Sequence, residues 1–293
     1  MKLQLAQPLA IHELGKRSNQ QDSIFPPLNK ATADDRLFIV CDGMGGHAHG
    51  EVASATVCSA LSQELLGGHG NLDSEDFTKA LYAVYDVLDK LDDGSPKKMG
   101  TTMTCIKFQD GEALLAHIGD SRIYHIRPKE RQILYKSRDH SLVNDLYAVG
   151  EITLEQMKTF PQRNIITRAM QPNQQVRKTA DIHISEDIQA GDYFFMCTDG
   201  ILEQLEDEHL LNILGDNKTS DKQKIKILER VTQDNRDNHS AYLIRVEQKK
   251  ETIPHSTKHK QGRAKSSPLK IILITLVTIA ALVAIYHAYT QFL

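Results

Sequence analysis

Residues 37–51 read LFIVCDGMGGHAHGE. The first five are apolar and β-prone, which predicts a buried strand over Leu37–Cys41. Asp42 follows directly. An aspartate ending a buried strand must be desolvated, so a hydrogen-bonded turn or a divalent cation has to compensate its charge. Gly43, Gly45, Gly46 and Gly50 let backbone carbonyls and amides approach a ligand closely. Glu51 then opens a helical pattern, where its charge suits the positive end of the dipole. Neither the dinucleotide-binding nor the P-loop glycine spacing is present, so a nucleotide loop is not expected.

Working outward, further β-rich runs occupy Met103–Phe108, Ala113–Ile118, Arg122–Arg127, Gln132–Lys136, Tyr193–Cys197 and Tyr242–Val246. Residues 109–112, Gln-Asp-Gly-Glu, read as a hairpin turn. Strands joined by short connections favour antiparallel sheets over a βαβ array. Residues 51–66, 76–91, 205–214 and 221–233 carry apolar residues at three- and four-residue spacing. Helices in two blocks with strands between them predict an α+β sandwich.

The chain has 293 residues, 40 % hydrophobic and 25 % charged, which excludes disorder and a disulfide scaffold. Its net charge is −3, so no global charge argues for nucleic-acid binding. The distribution is uneven. Residues 247–270 carry seven Lys/Arg against Glu247 and Glu251, and 271–293 carry no Asp, Glu, Lys or Arg; 28 basic and 36 acidic groups remain in 1–246. The chain therefore reads as an acidic body, a flexible basic linker and an uncharged tail. The tail, IILITLVTIAALVAIYHAYTQFL, would span roughly 34 Å as a helix, against a hydrocarbon core of about 30 Å. Its terminal position favours a transmembrane anchor over a buried core helix. Basic residues before it predict a cytoplasmic body. No secretory signal peptide is read at the N-terminus. Cys41, Cys58, Cys105 and Cys197 lie in apolar runs without CxxC spacing and read as free buried thiols.

Four Asp-Gly pairs occur, and those at 93–94 and 110–111 read as plain turns. Asp42 and Asp199 differ, because each follows a buried strand. Asp22 after a polar stretch, Asp120 after ALLAHIG and Asp237 before the last strand add further carboxylates. One such residue reads as a turn cap. Several that converge repel one another unless a cation sits between them, which predicts Mg2+ or Mn2+; the scarcity of Cys and paired His disfavours zinc.

These residues resemble the protein phosphatase 2C family in its bacterial branch, over roughly 10–246. Arg17-Ser-Asn-Gln-Gln-Asp22 resembles its first box, and Asp42-Gly-Met-Gly-Gly-His47 with Gly50–Ser54 the second. Gly100-Thr-Thr102, Gly119-Asp-Ser-Arg122 with Tyr124, Asp139-His-Ser141, Cys197-Thr-Asp-Gly200 and Asp237-Asn238 follow in family order. The resemblance implies a four-layer α/β/β/α sandwich of two antiparallel sheets flanked by helices, to which the tail would add one transmembrane helix. It implies metal-dependent hydrolysis of phosphoserine and phosphothreonine on proteins, by a metal-bridged hydroxide at a binuclear Mn2+ or Mg2+ centre. Asp42 would bridge two ions, with Asp199 and Asp237 completing one and the Gly43 carbonyl and Asp22 serving the other. Asp120 with Asp199 matches a weaker third ion in bacterial members, and Arg17 would grip the phosphate. Phosphoproteins, an opposing Ser/Thr kinase and the membrane are the implied partners.

Two other activities compete: a pseudophosphatase that binds phosphoproteins without turnover, and a phosphatase acting on small phosphoesters. Met44 stands where eukaryotic members carry a histidine, leaving His47 as a nearby acid or turn residue. His49 replaces a usually small residue, and Arg168-Ala-Met-Gln171 departs from the family run at the end of a flap-like stretch, 141–172.

Overall fold

The computed structural model describes residues 2–45, 49–67 and 71–250. The run at 37–41 does not stop before its aspartate. It continues as β4 (Leu37–Met44), with Asp42 inside the strand. Four neighbours share its sheet, in the order β10 (Asp181–Ser185), β7 (Ala113–Ile118), β6 (Met103–Phe108), β4, β3 (Asp22–Phe25), and β5 (Gly100–Thr101) joins the end of β4. The second sheet runs β1 (Lys2–Leu5), β12 (His239–Lys250), β11 (Tyr193–Cys197), β8 (Arg122–Arg127), β9 (Gln132–Lys136), with β2 (Leu9–Glu13) also on β12. Neighbouring strands pair antiparallel; short connections join β6 to β7 and β8 to β9, whereas β4–β6, β8–β11 and β11–β12 meet across long ones.

Side chains alternate along each strand, so one continuous apolar run serves two cores. Leu37, Ile39 and Cys41 pack with Val57, Leu61, Phe77 and Val84 of α1 (Gly50–Gly67) and α2 (Ser74–Asp89). Phe38 and Val40 point the other way, against Phe194, Met196, Tyr242 and Ile244 of the second sheet. That sheet's outer face, with Tyr124, Phe195 and Leu243, is covered through Leu210, Leu214 and Leu228 by α6 (Asp207–Gly215) and α7 (Asp221–Thr232). The result is the expected α/β/β/α sandwich.

The 141–172 segment holds two short helices, α3 (Leu142–Ala148) and α4 (Leu154–Thr159). It is tied down where it departs from the family run: Met170 is fully buried, and its backbone exchanges hydrogen bonds of 3.0 and 2.9 Å with Thr101. All four cysteines are free and buried.

One boundary moves. β12 extends to Lys250, four residues into the stretch read as linker, because β1 supplies a partner strand with Lys2 opposite Lys250. Charged residues on a strand that pairs near the sheet edge resemble a loop in sequence. His47 and the 271–293 tail lie outside the described residues. Among the described residues, no helix is long and apolar enough to cross a membrane.

Candidate metal centre

Five carboxylates separated by up to 215 positions gather at one end of the gap between the sheets. Asp22 opens β3, and Asp42 faces it as its register partner in β4. Asp120 follows β7 in the turn that begins with Gly119, whose φ of 105° is open to glycine. From the other sheet, Asp199 begins the short helix α5 (Asp199–Leu202) after β11, and Asp237 precedes β12.

Burial and mutual repulsion disfavour the charged form of Asp22, Asp42, Asp120 and Asp199. Burial, then the charges of Asp22, Asp199, Asp120 and Asp237, hold the Asp42 carboxyl well above the usual range. Burial pushes Asp22 up to about 7, opposed by hydrogen bonds from Ser240 and Thr198 and reinforced by Asp199 and Asp237. Asp120 rises to about 8 through burial and the Asp199 charge. Asp199 rises through burial and Asp237, while a hydrogen bond shared with Asp42 offsets part of this. Asp22 Oδ1 and Asp120 Oδ1 are buried without a hydrogen-bond partner. Unpartnered buried oxygens and mutually repelling acids are the condition that a divalent cation relieves. An all-oxygen donor set fits Mg2+ or Mn2+.

Arg17, in the loop between β2 and β3, donates to Asp237 Oδ2 at 2.6 Å while remaining mostly exposed. That contact raises its own pKa and leaves the rest of the guanidinium facing solvent. Gly43 admits no side chain, because a Cβ would come within 2.5 Å of the Gln21 carbonyl oxygen. The Gly43 N–H donates to that oxygen at 3.0 Å. His49, with φ of 60°, is exposed at the rim with Nδ1 3.5 Å from Glu51.

The structure adds residues whose roles the sequence did not reveal. Thr102 Oγ1 accepts from the Asp42 N–H at 3.0 Å, and Thr101 Oγ1 donates to the Asp42 carbonyl at 2.9 Å. Together they fix the peptide that carries the central carboxylate. Arg122 grips Asp139 through two bonds of 2.7 Å, joining two of the sequence boxes beside Asp120.

A second cluster, His117, His140 and Asp181, also offers potential ligands. Its hydrogen bonds argue against a metal there. The Gly119 N–H donates to His140 Nδ1 at 3.0 Å, so His140 Nε2 carries the proton, 3.1 Å from Asp181 Oδ2. Asp181 also accepts from Arg168 at 2.9 Å. The cluster ties the start and end of 141–172 to β7 and β10. A groove of about 650 Å3 lined by Arg127, Tyr193 and Lys224 lies at the opposite end of β11 from Asp199, away from the carboxylates.

Residues 12–239 match the protein phosphatase 2C family. Protein phosphatase PhpP of Streptococcus pneumoniae is 31 % identical over 205 residues, covering 68 % of this chain and 80 % of PhpP. The crystal structure of the Mycobacterium tuberculosis serine/threonine phosphatase PstP superposes with a TM-score of 0.68 at 30 % identity, covering 83 % of this chain and all of that one. A structure of the PstP catalytic domain in complex with two manganese ions superposes equally well at 28 % identity, over 84 % of this chain and all of that one.

Proposed function

The chain belongs to the protein phosphatase 2C family, and from that premise we propose that it is a Mn2+- or Mg2+-dependent phosphatase acting on phosphoserine and phosphothreonine in proteins. The observation that carries this is the convergence of Asp22, Asp42, Asp120, Asp199 and Asp237 with two oxygens left unpartnered. Asp42, Asp199 and Asp237 would hold one ion, and Asp42, Asp22 and the Gly43 carbonyl a second. Asp120 and Asp199 would hold a weaker third. When bound, such cations acidify a water molecule into a nucleophile near neutral pH and neutralise phosphate charge.

The chain's own groups do the rest. Arg17, anchored by Asp237, presents its free N–H groups to phosphate oxygens, a planar fork suited to that anion. Thr101 and Thr102 keep the Asp42 backbone from shifting as charge develops. All four cysteines are buried, so none is placed as a nucleophile. The basic stretch after β12 and the apolar 271–293 tail support a membrane tether with the catalytic domain on the cytoplasmic side, beside an opposing Ser/Thr kinase.

Release of phosphate from a phosphothreonine peptide, with and without Mn2+, tests this reading. Metal-dependent turnover is expected, faster per molar enzyme than on a small phosphoester. Tight Mn2+ binding without turnover would mark the chain as a pseudophosphatase instead.

A further inference from the structure

The Asp22 carboxylate is held from behind by a chain of hydroxyls that begins near the surface. His12 in β2 and Ser240 in β12 are register partners. Ser240 Oγ lies 2.9 Å from His12 Nδ1 and 2.7 Å from Asp22 Oδ2. A hydroxyl has one proton to give, and an ionised carboxylate only accepts. The Ser240 proton therefore goes to Asp22, and the contact with His12 requires Nδ1–H to donate to Oγ.

Thr198 repeats the logic. Its Oγ1 accepts from the Ser240 N–H at 3.0 Å, which directs its proton to Asp22 Oδ2 at 3.1 Å. Two directed donors thus converge on one oxygen, and the other, Oδ1, is left buried and bare. With Oδ2 pinned twice, the carboxylate cannot turn Oδ1 away without stranding buried hydroxyls.

We propose that His12 and Ser240 are positioning residues for the metal centre: His12 fixes the Ser240 hydroxyl, and Ser240 fixes the orientation of Asp22 so that Oδ1 is presented to a cation. This rests on Asp22 being a metal ligand. The arrangement follows the general pattern in which outer hydrogen bonds orient a ligating group and raise its affinity. His12 contributes through Ser240 alone, since Ser240 stands between it and Asp22.

The test is Mn2+ binding to the metal-free full-length chain, read by electron paramagnetic resonance of free Mn2+. Asp22→Asn should lose or severely weaken one equivalent. Ser240→Ala should weaken that same equivalent about tenfold, Ser240→Thr should restore it, and His12→Phe should weaken it less. In the Asp22→Asn background, Ser240→Ala should change Mn2+ binding no further. Nitrogen-15 NMR should find His12 as the Nδ1–H tautomer. If Ser240→Ala lowers thermal stability but binds Mn2+ like the parent, while Asp22→Asn loses its equivalent, the positioning role is overturned and the metal centre stands. If Asp22→Asn binds both equivalents unchanged, Asp22 is no ligand and the premise falls with the proposal.

Discussion

Asp22 and Asp42 sit directly opposite one another across β3 and β4, so both side chains leave the sheet on one face. Like charges at directly opposed positions destabilise a sheet, and here Asp120, Asp199 and Asp237 add to the repulsion. Folding alone has no use for such a pairing. A cation at the mouth of the gap would convert it from a cost into a binding site.

Removing a central carboxylate should therefore separate function from stability. Asp42→Asn and Asp199→Asn are expected to lower Mn2+-dependent phosphate release by more than about 100-fold, beyond the loss typical of an outer hydrogen-bond partner. Metal-free Asp42→Asn should melt no lower than the parent, since one repelling charge is gone. A large fall in its melting temperature would assign Asp42 to the fold rather than to the ions.

The metal-free protein should lose stability as pH rises. Asp22 at about 7 and Asp120 at about 8 lie above the ordinary 3.8, so the folded state binds more protons than the unfolded one between those limits. Their stabilising contribution is complete below about 4 and is lost as pH passes through 7 and 8. Melting temperatures in EDTA should be lower at pH 8.5 than at pH 5.5. Saturating Mn2+, which binds the ionised acids, should reverse the order.

Arg17 makes one strong contact and otherwise faces solvent, so its substitution should read out in catalysis. Arg17→Ala is expected to reduce kcat/KM on a phosphothreonine peptide about 10- to 100-fold, the worth of a charge-assisted hydrogen bond. The exposed pair with Asp237 should cost at most about 1 kcal/mol of stability. Calorimetry on the variant checks the second half.

Truncation tests where the catalytic domain ends. A chain cut after Lys250 keeps β12 whole and should be soluble and active. Cutting after Val246 removes the strand partners of Lys2, Leu3 and Gln4, and so loosens Leu3 and Leu5, which are buried to 2 % and 1 % exposure. Each leucine has roughly 1.5–3 kcal/mol of burial at stake. The shorter chain should melt several degrees lower.

The far end of β8 offers a control remote from the ions. Arg127, buried, donates to Asp192 at 3.0 and 2.9 Å, and His125 Nε2 lies 3.0 Å from the same carboxylate. Asp192→Ala leaves the buried Arg127 guanidinium its bonds to Asp187 but removes two others and the His125 partner, and should destabilise by about 1–3 kcal/mol. Mn2+ affinity of the folded fraction should be unchanged.

The elements legible in sequence were those with strong periodicity. β6, β7, β8, β9 and β11 have the residues expected of them, and α1 and α7 begin within a residue of the expected start. The elements missed were short, polar or N-terminal: β1 and β3 are four residues each, β5 two, β2, Leu-Ala-Ile-His-Glu, five, and β10, Asp-Ile-His-Ile-Ser, is mostly half-buried. Such strands exist because a neighbour offers backbone partners, and no local pattern records that. The same holds for Thr102, Thr198 and Ser240. As isolated hydroxyl residues they are unremarkable, and only their directed protons, known once donors and acceptors are placed, give them a role.

From the chain alone came Asp42, Asp120 and Asp199 as candidates, because a charged residue closing an apolar run breaks the rule that burial and charge exclude each other; Asp22 and Asp237, set in polar sequence, stood out only through the family resemblance. The two-sided use of those strands, the meeting of Asp22 with Asp42, and the choice of which carboxylate oxygen stays bare came only from tertiary structure. Those depend on register and on hydrogen-bond direction between residues as many as 228 positions apart, distances over which sequence spacing carries no geometry.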